Sequence, residues 1–265
     1  MHQSAFKKAQ FFRATYLADY ETTPLSLLDV GSAVVDDDTA SNRQVLENTN
    51  WAYRGLDIEA GRNVDVVVAD PYDWSEVSDA SVDVVVCSQV FEHTSFFWLT
   101  CLEMARVMKT NALALVLAPG SGPLHRYPVD CWRFYDDGLP SVADWAMLTV
   151  LDSRVQWRPA YGKGDIWRDA AVVMQKQDLG PDDNIRRQHR IAASKAAYRA
   201  EPHSATGSTN DQQVSAIAKR EPQSRFEAEE KRLLADRPSF RTKLSLINTK
   251  LRDIRRILKT PLERL

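Results

Sequence analysis

The feature that most constrains this chain is a series of short apolar, β-branched runs that scarcely alternate with polar residues. Leu25–Val30, residues 52–58, residues 64–69, Val82–Ser88 and residues 112–118 all have this character. A strand that is apolar on both sides must be covered on both faces, and that is the position of a strand inside a parallel sheet flanked by helices. Between the fourth and fifth runs, residues 96–109 carry Phe97, Cys101, Met104 and Met108 on one helical stripe. Residues 136–145 read as a further helix. Residues 147–157 and 167–176 then read as two closing strands joined by a turn containing glycine, and hence as an antiparallel pair. Strands alternating with helices give an α/β, doubly wound sheet, here with an antiparallel edge.

Four segments follow from this: an N-terminal helical segment over 1–24, the sheet domain over 25–176, a polar and largely flexible linker over 177–239, and a basic amphipathic helix over 240–265. Short helices are expected to flank the linker's centre, one of them around 183–199. In the last segment Leu244, Ile247, Leu251, Ile254, Leu258, Leu262 and Leu265 form one stripe. Eight basic residues surround it against Asp253 and Glu263, so with a whole-chain net charge of -2 the remainder carries about -8. Such a helix suits an anionic membrane surface, a helical partner or packing on the domain itself. The domain has no basic-aromatic stripe, and no nucleic-acid partner is expected. Three cysteines (Cys87, Cys101, Cys131) without metal-ligand spacing argue against a disulfide framework or a zinc site. No metal is expected, and a cytoplasmic location is, with peripheral membrane contact one of the three options open to the last segment.

The chemistry lies at the strand ends. Asp29 and Gly31 close the first strand in Leu-Leu-Asp-Val-Gly-Ser, where glycine allows close approach of the backbone to a ligand. Asp57 ends the second strand, where a carboxylate can accept from both ribose hydroxyls. Asp70 follows the third, where it can accept from an adenine amino group. Each alone reads equally as a turn residue; three in succession are harder to explain that way. After the fourth strand comes Glu92-His93. After the fifth comes a loop, His125-Arg-Tyr-Pro-Val-Asp130-Cys-Trp-Arg133-Phe-Tyr135, that should roof an acceptor pocket.

The series LLDVGS, YRGLDI, VVADPYDW, SVDVVVCSQVFEH and LALVLAP resembles the class I S-adenosylmethionine-dependent methyltransferases, over roughly residues 25–176. The resemblance implies a Rossmann-like, seven-stranded, mostly parallel sheet of order 3-2-1-4-5-7-6 with the last strand antiparallel. It implies S-adenosylmethionine as cofactor. Asp29, Gly31 and Ser32 would lie against its methionine and ribose portions, and Asp57 and Ile58 against the ribose. Asp70 and Tyr72 would face the adenine, with Ser88 and Gln89 near the methionine amino group. Two departures stand out: Ala33 occupies the second glycine position of the turn, and Thr110-Asn111-Ala112 replaces the Gly-Gly before the fifth strand. An asparagine there tolerates a left-handed backbone.

The resulting expectation is a methyltransferase acting on a small-molecule or glycan-type acceptor, by O-methylation. His125 or His93 would serve as general base, Asp130 would orient His125, and Arg126, Arg133 and Tyr135 would bind substrate. The bland alternatives are that Glu92-His93 is a helix-start feature and that the 125–135 loop is a structural lid. A catalytically inert methyltransferase-like interaction domain is the rival, motivated by Ala33 and Asp36-Asp37-Asp38. A nicotinamide-dependent dehydrogenase would need a fuller glycine-rich turn.

Overall fold

The computed structural model describes residues 3–34, 40–156 and 166–200. The expected helix over 240–265 and most of the expected linker lie outside them. Strands β1 (Leu25–Val30), β2 (Trp51–Asp57), β3 (Val66–Val67), β4 (Val82–Ser88), β5 (Met108–Ala118), β6 (Thr149–Val155) and β7 (Ala170–Gln175) form one sheet of order β3-β2-β1-β4-β5-β7-β6. β1 to β5 pair in parallel, and β7 runs antiparallel to both β5 and β6. The expected order and the expected antiparallel strand are both observed.

Alternate residues of the apolar strands supply two cores. Leu28 on β1, Val85 and Cys87 on β4, and Ala114, Val116 and Ala118 on β5 face helices α3 (Phe97–Val107), α4 (Gly138–Trp145) and α5 (Pro181–Ala200). Leu27, Val84, Val86, Leu115 and Leu117 face the other way, onto α1 (Gln3–Tyr16) and α2 (Asn42–Leu46). α1 presents Ala5, Ala9 and Phe12, all fully buried at four- and three-residue spacing. Both faces of the sheet are therefore dry, as the run composition requires. The edge strand β6 is largely exposed, and its Asp152, Ser153 and Arg154 put polar groups on an unpaired edge.

Three expectations on boundaries need correction. The third strand is two residues long, not the whole of 64–69, because the chain leaves β2 after Val67 and turns at Asp70-Pro71. β5 starts at Met108, four residues earlier than expected, with Asn111 absorbing the irregularity at φ +66°. The short helix expected around 183–199, inside a segment expected to be largely flexible, is α5 over Pro181–Ala200, two residues longer at its start and docked on the domain. Gly180 (φ +85°) and the Asp178 cap, which accepts from the Gly180 amide at 3.0 Å, set up its start. Asp182 and Asp183 lie in its first turn, where negative charge suits the helix dipole. Ile191 and Arg187 are buried, and Lys195 pairs with both Asp73 (2.6 Å) and the fully buried Glu103 (3.0 Å). Packing holds this polar helix on the domain.

One glycine fixes how β2 meets the loop before β3. A Cβ at Gly55 would stand 1.9 Å from the Asn63 carbonyl oxygen and 2.5 Å from Ser32 Oγ. Gly55→Ala should cost about 1–3 kcal/mol in denaturant unfolding; a loss within a few tenths of a kcal/mol would show that this loop gives way freely.

Candidate active site

The parallel register puts the carboxyl ends of β1, β2, β4 and β5 at one edge, and the polar residues of interest follow them. At the first turn, Gly31 takes φ +72°, and a Cβ there would lie 2.2 Å from Val90 Cγ2. The Gly31 and Ser32 amides both donate to the Leu56 carbonyl (2.8 and 3.1 Å). Ser32 Oγ donates to the Asn63 carbonyl, and Asn63 Nδ2 returns a bond to the Ser32 carbonyl. The turn is thereby locked to β2 and its loop without a second glycine; Ala33 uses its amide to donate to Asp57 Oδ2 (2.9 Å).

Asp29 sits beneath this turn, 2% exposed. It accepts from Asn42 Nδ2 at 2.8 Å and from the Tyr53 hydroxyl. Burial pushes its carboxyl up to about 6, against the opposing pull of these two donors, and the nearby Asp57 raises it further. Asp57 is half-buried at the strand end; besides the Ala33 amide it takes the Ile58 amide on Oδ1 (2.8 Å). Lone pairs on both oxygens remain for other donors. The Ile58 side chain is 44% exposed.

Farther along the edge, Asp70 Oδ1 accepts from the Tyr72 amide (2.8 Å) and the Tyr198 hydroxyl (3.3 Å). Tyr72 packs between Phe96 and Tyr198, with ring centroids 5.4 and 5.1 Å away. Tyr198 comes from α5 and was not anticipated; its only signal is an aromatic in an otherwise polar helix. Arg199 beside it pairs with Asp73. At β4, Ser88 is buried, and Gln89 (φ +60°) extends its amide toward Asp169 Oδ1 at 3.4 Å. Asp169, fully buried just before β7, is a second residue that the sequence did not reveal.

Beyond Gln89 the chain makes a single 3-10 turn over Phe91–His93, separate from α3. Glu92 is fully buried, and neither carboxylate oxygen has a hydrogen-bond partner among the described residues. Burial pushes its carboxyl up to about 8, with Asp169 and Asp130 adding to the rise against its own backbone amide and Arg133. His93 Nδ1 lies 2.6 Å from the Val129 carbonyl, and its Nε2 lies 3.7 Å from Glu92 Oε1. Burial lowers the His93 pKa. The 125–135 loop folds over this turn: the Cys131 amide donates to the Glu92 carbonyl (2.7 Å), and Trp132 Nε1 donates to the Thr94 carbonyl (2.9 Å). The loop thus places His125 against His93, ring centroids 4.7 Å apart.

Within the loop, Asp130 is the hub. It accepts two bonds from Arg133 (2.5 and 2.8 Å) and one from the His125 amide (2.7 Å), and its Oδ2 lies 3.5 Å from His125 Nδ1. Arg133 and the His125 amide hold the Asp130 carboxyl below its usual range despite burial. Arg133, expected to clamp a substrate anion, also donates to the Pro123 and Trp132 carbonyls and so fastens the loop. Arg126 and Tyr135 are exposed on the loop's outer side, Tyr135 at 68%. His93, His125, Asp130 and Arg133 are therefore brought together, while Arg126 and Tyr135 lie exposed on the loop.

Asp29 gives a pH test of this geometry. A carboxyl raised from 3.8 to about 6 favours the folded state fully below about 4, and that contribution is lost as pH rises through about 6. Asp29→Asn should therefore gain on the parent chain by about 2–3 kcal/mol between pH 4 and pH 7.5 in paired denaturant titrations. A flat difference across that range would mean that Asp29 is ionised throughout.

Comparison with known proteins follows the same outline. Residues 29–116 match the model of a family described as a methyltransferase domain. No curated protein matches the chain in sequence. Among solved structures, the chain is similar to a 1,6-didemethyltoxoflavin-N1-methyltransferase of Burkholderia thailandensis, solved with 1,6-didemethyltoxoflavin and S-adenosylhomocysteine bound. Identity is 14%, the alignment covers 66% of this chain and 80% of that one, and the TM-score is 0.50. An S-adenosylmethionine-dependent methyltransferase of Methanosarcina mazei aligns over 62% of this chain and 97% of its own, at 14% identity and TM-score 0.47. One of Archaeoglobus fulgidus aligns over 64% and 94%, at 13% identity and TM-score 0.43. At these identities the likeness is one of fold.

Proposed function

We propose that the chain is a class I S-adenosylmethionine-dependent methyltransferase that transfers the methyl group of S-adenosylmethionine to an oxygen of a small-molecule or glycan-type acceptor. The observation that carries the reading is Asp57: a strand-end carboxylate pinned by two backbone amides, with lone pairs left over on both oxygens. A vicinal diol is a matching pair of donors. The neighbouring residues fit the rest of the cofactor. Asp70 offers an acceptor to an exocyclic amine, and Tyr72 and Tyr198 offer aromatic surface beside it. Gly31 and Ser32 bring backbone close to the same edge. S-adenosylmethionine supplies an electrophilic methyl on sulfur, so that the carbon–oxygen bond forms as the carbon–sulfur bond breaks.

The protein's part is to align the acceptor and remove its proton. The Val129 carbonyl can only accept, so His93 carries its proton on Nδ1 and keeps Nε2 as a base. His125, beside it, is the second candidate, and Asp130 fixes its backbone. An acceptor hydroxyl reaching either imidazole would give up its proton there. Arg126 and Tyr135, exposed at the loop's rim, are positioned for the outer part of a larger acceptor.

Isothermal titration with S-adenosylmethionine and S-adenosylhomocysteine should show one site per chain. Asp57→Ala should weaken it roughly 10- to 100-fold, the worth of charge-assisted bonds to two hydroxyls. Absence of binding at high micromolar ligand would sink the reading. In an acceptor screen followed by release of S-adenosylhomocysteine, His125→Ala or His93→Ala should lower turnover about 10²- to 10⁴-fold with cofactor affinity intact. Turnover unchanged in both variants would remove the histidines from the chemistry.

A further inference from the structure

We propose that Glu92, His93 and His125 form a binding site for one divalent first-row transition-metal cation, of the zinc or iron(II) kind. One ligand atom from each of the three residues lies within 4.8 Å of the others. Two ring nitrogens and a carboxylate are a donor set that such cations favour over magnesium or calcium.

The argument starts from an electrostatic misfit. The Val129 carbonyl fixes the His93 proton on Nδ1 and leaves a lone pair on Nε2. That lone pair faces Glu92 Oε1 across 3.7 Å. With Glu92 ionised this is two acceptors facing one another in a dry place, and the separation is too long for a hydrogen bond whether or not the carboxyl carries its proton. It is, however, about the spacing of two ligands each roughly 2.1 Å from a common cation, which lie on the order of 3–4 Å apart. Glu92 sharpens the point. It is fully buried, both its oxygens lack hydrogen-bond partners among the described residues, and a buried polar group without a partner requires an explanation. A cation between Glu92 and His93 satisfies both at once.

The surroundings are those of a metal site. A metal-binding histidine usually donates its other ring N–H to a carbonyl or carboxylate, which holds the ring and its tautomer. His93 does so to Val129. His125 has Asp130 Oδ2 3.5 Å from its Nδ1, and Asp130 is itself held by Arg133. Three protein ligands leave a coordination position free, as in catalytic sites. The role of that position rests on the methyl-transfer reading: a cation held there would make a bound acceptor hydroxyl acidic enough to lose its proton to water, and His93 and His125 would then serve as ligands in place of the general bases of the metal-free reading. The ligands come from two loops distant in sequence, which is why no spacing motif announces them and why the sequence led to an expectation of no metal.

The test uses the untagged full-length chain, stripped with chelator and dialysed to equilibrium against Zn²⁺ or Co²⁺, with metal per chain counted by mass spectrometry and the Co²⁺ form examined by visible absorption. One metal per chain is expected. His93→Ala, His125→Ala and Glu92→Gln should each weaken it at least tenfold, and Asp130→Asn about 10- to 100-fold. His189→Ala, on the exposed side of α5, should bind as the parent does. Circular dichroism of each variant checks folding, and His125→Ala, in a part-exposed position, is the variant least coupled to the core. Binding well below one per chain, or stoichiometric binding that survives the His93→Ala/His125→Ala double substitution, overturns the site. S-adenosylmethionine titration of the metal-free chain is read separately, so loss of the metal site and loss of the methyltransferase reading cannot be mistaken for each other.

Discussion

Everything at the active edge depends on one constraint: the central parallel strands must bury both faces. Leu27 and Leu28, Val84 and Val85, and Leu115 and Val116 point to opposite sides, and each side needs its own helices. Parallel pairing then forces every connection to cross over a face and return, so the carboxyl ends of β1, β2, β4 and β5 lie together. The polar residues after them converge because the apolar residues within them cannot do otherwise. No helix among the described residues is long and apolar enough to cross a membrane.

The crevice is rich in carboxylates, and the protein treats each differently. Asp29 is offset by two neutral donors, Tyr53 and Asn42. Asp130 is neutralised by a two-pronged arginine and a backbone amide. Asp57 stays half-buried, held by the Ala33 and Ile58 amides. Glu92 has none of these: it is as buried as Asp29 but meets a histidine lone pair instead of a donor. That contrast, within one crevice, singles Glu92 out.

Much of the fold was legible because the signal was binary. β1 and β4 fall on the expected residues, and the sheet order and its antiparallel strand follow the resemblance. β3 was over-read because Val64 to Val68 is as apolar as a strand, whereas pairing stops where the chain turns at Asp70-Pro71. α5 was expected at nearly its observed bounds, but its docking was not legible because its composition is polar; what makes it a docked helix is Ile191, Tyr198 and the Lys195 pairs, all of them contacts with distant residues. In the site, the strand-end aspartates could be named from position alone. Arg133 was open to two readings, a clamp on a substrate anion or an Arg–Asp pair holding the loop shut, and its bonds to Asp130 and the Pro123 carbonyl match the second. Glu92 and Asp169 were missed as centres of charge because only burial makes a carboxylate unusual, and burial is a tertiary property.

The contact between Gly31 and Val90 has a mechanical consequence. The Val90 methyl fills the space where any other residue at position 31 would carry its Cβ, so the turn after β1 and the turn after β4 mesh like a tooth in a notch. Two residues beyond Val90 stands Glu92, and one beyond that His93. Under the proposed reading, the stretch that would hold the cofactor after the first strand and the stretch that would face the acceptor after the fourth are coupled through this one contact, so a shift of either turn must be met by the other.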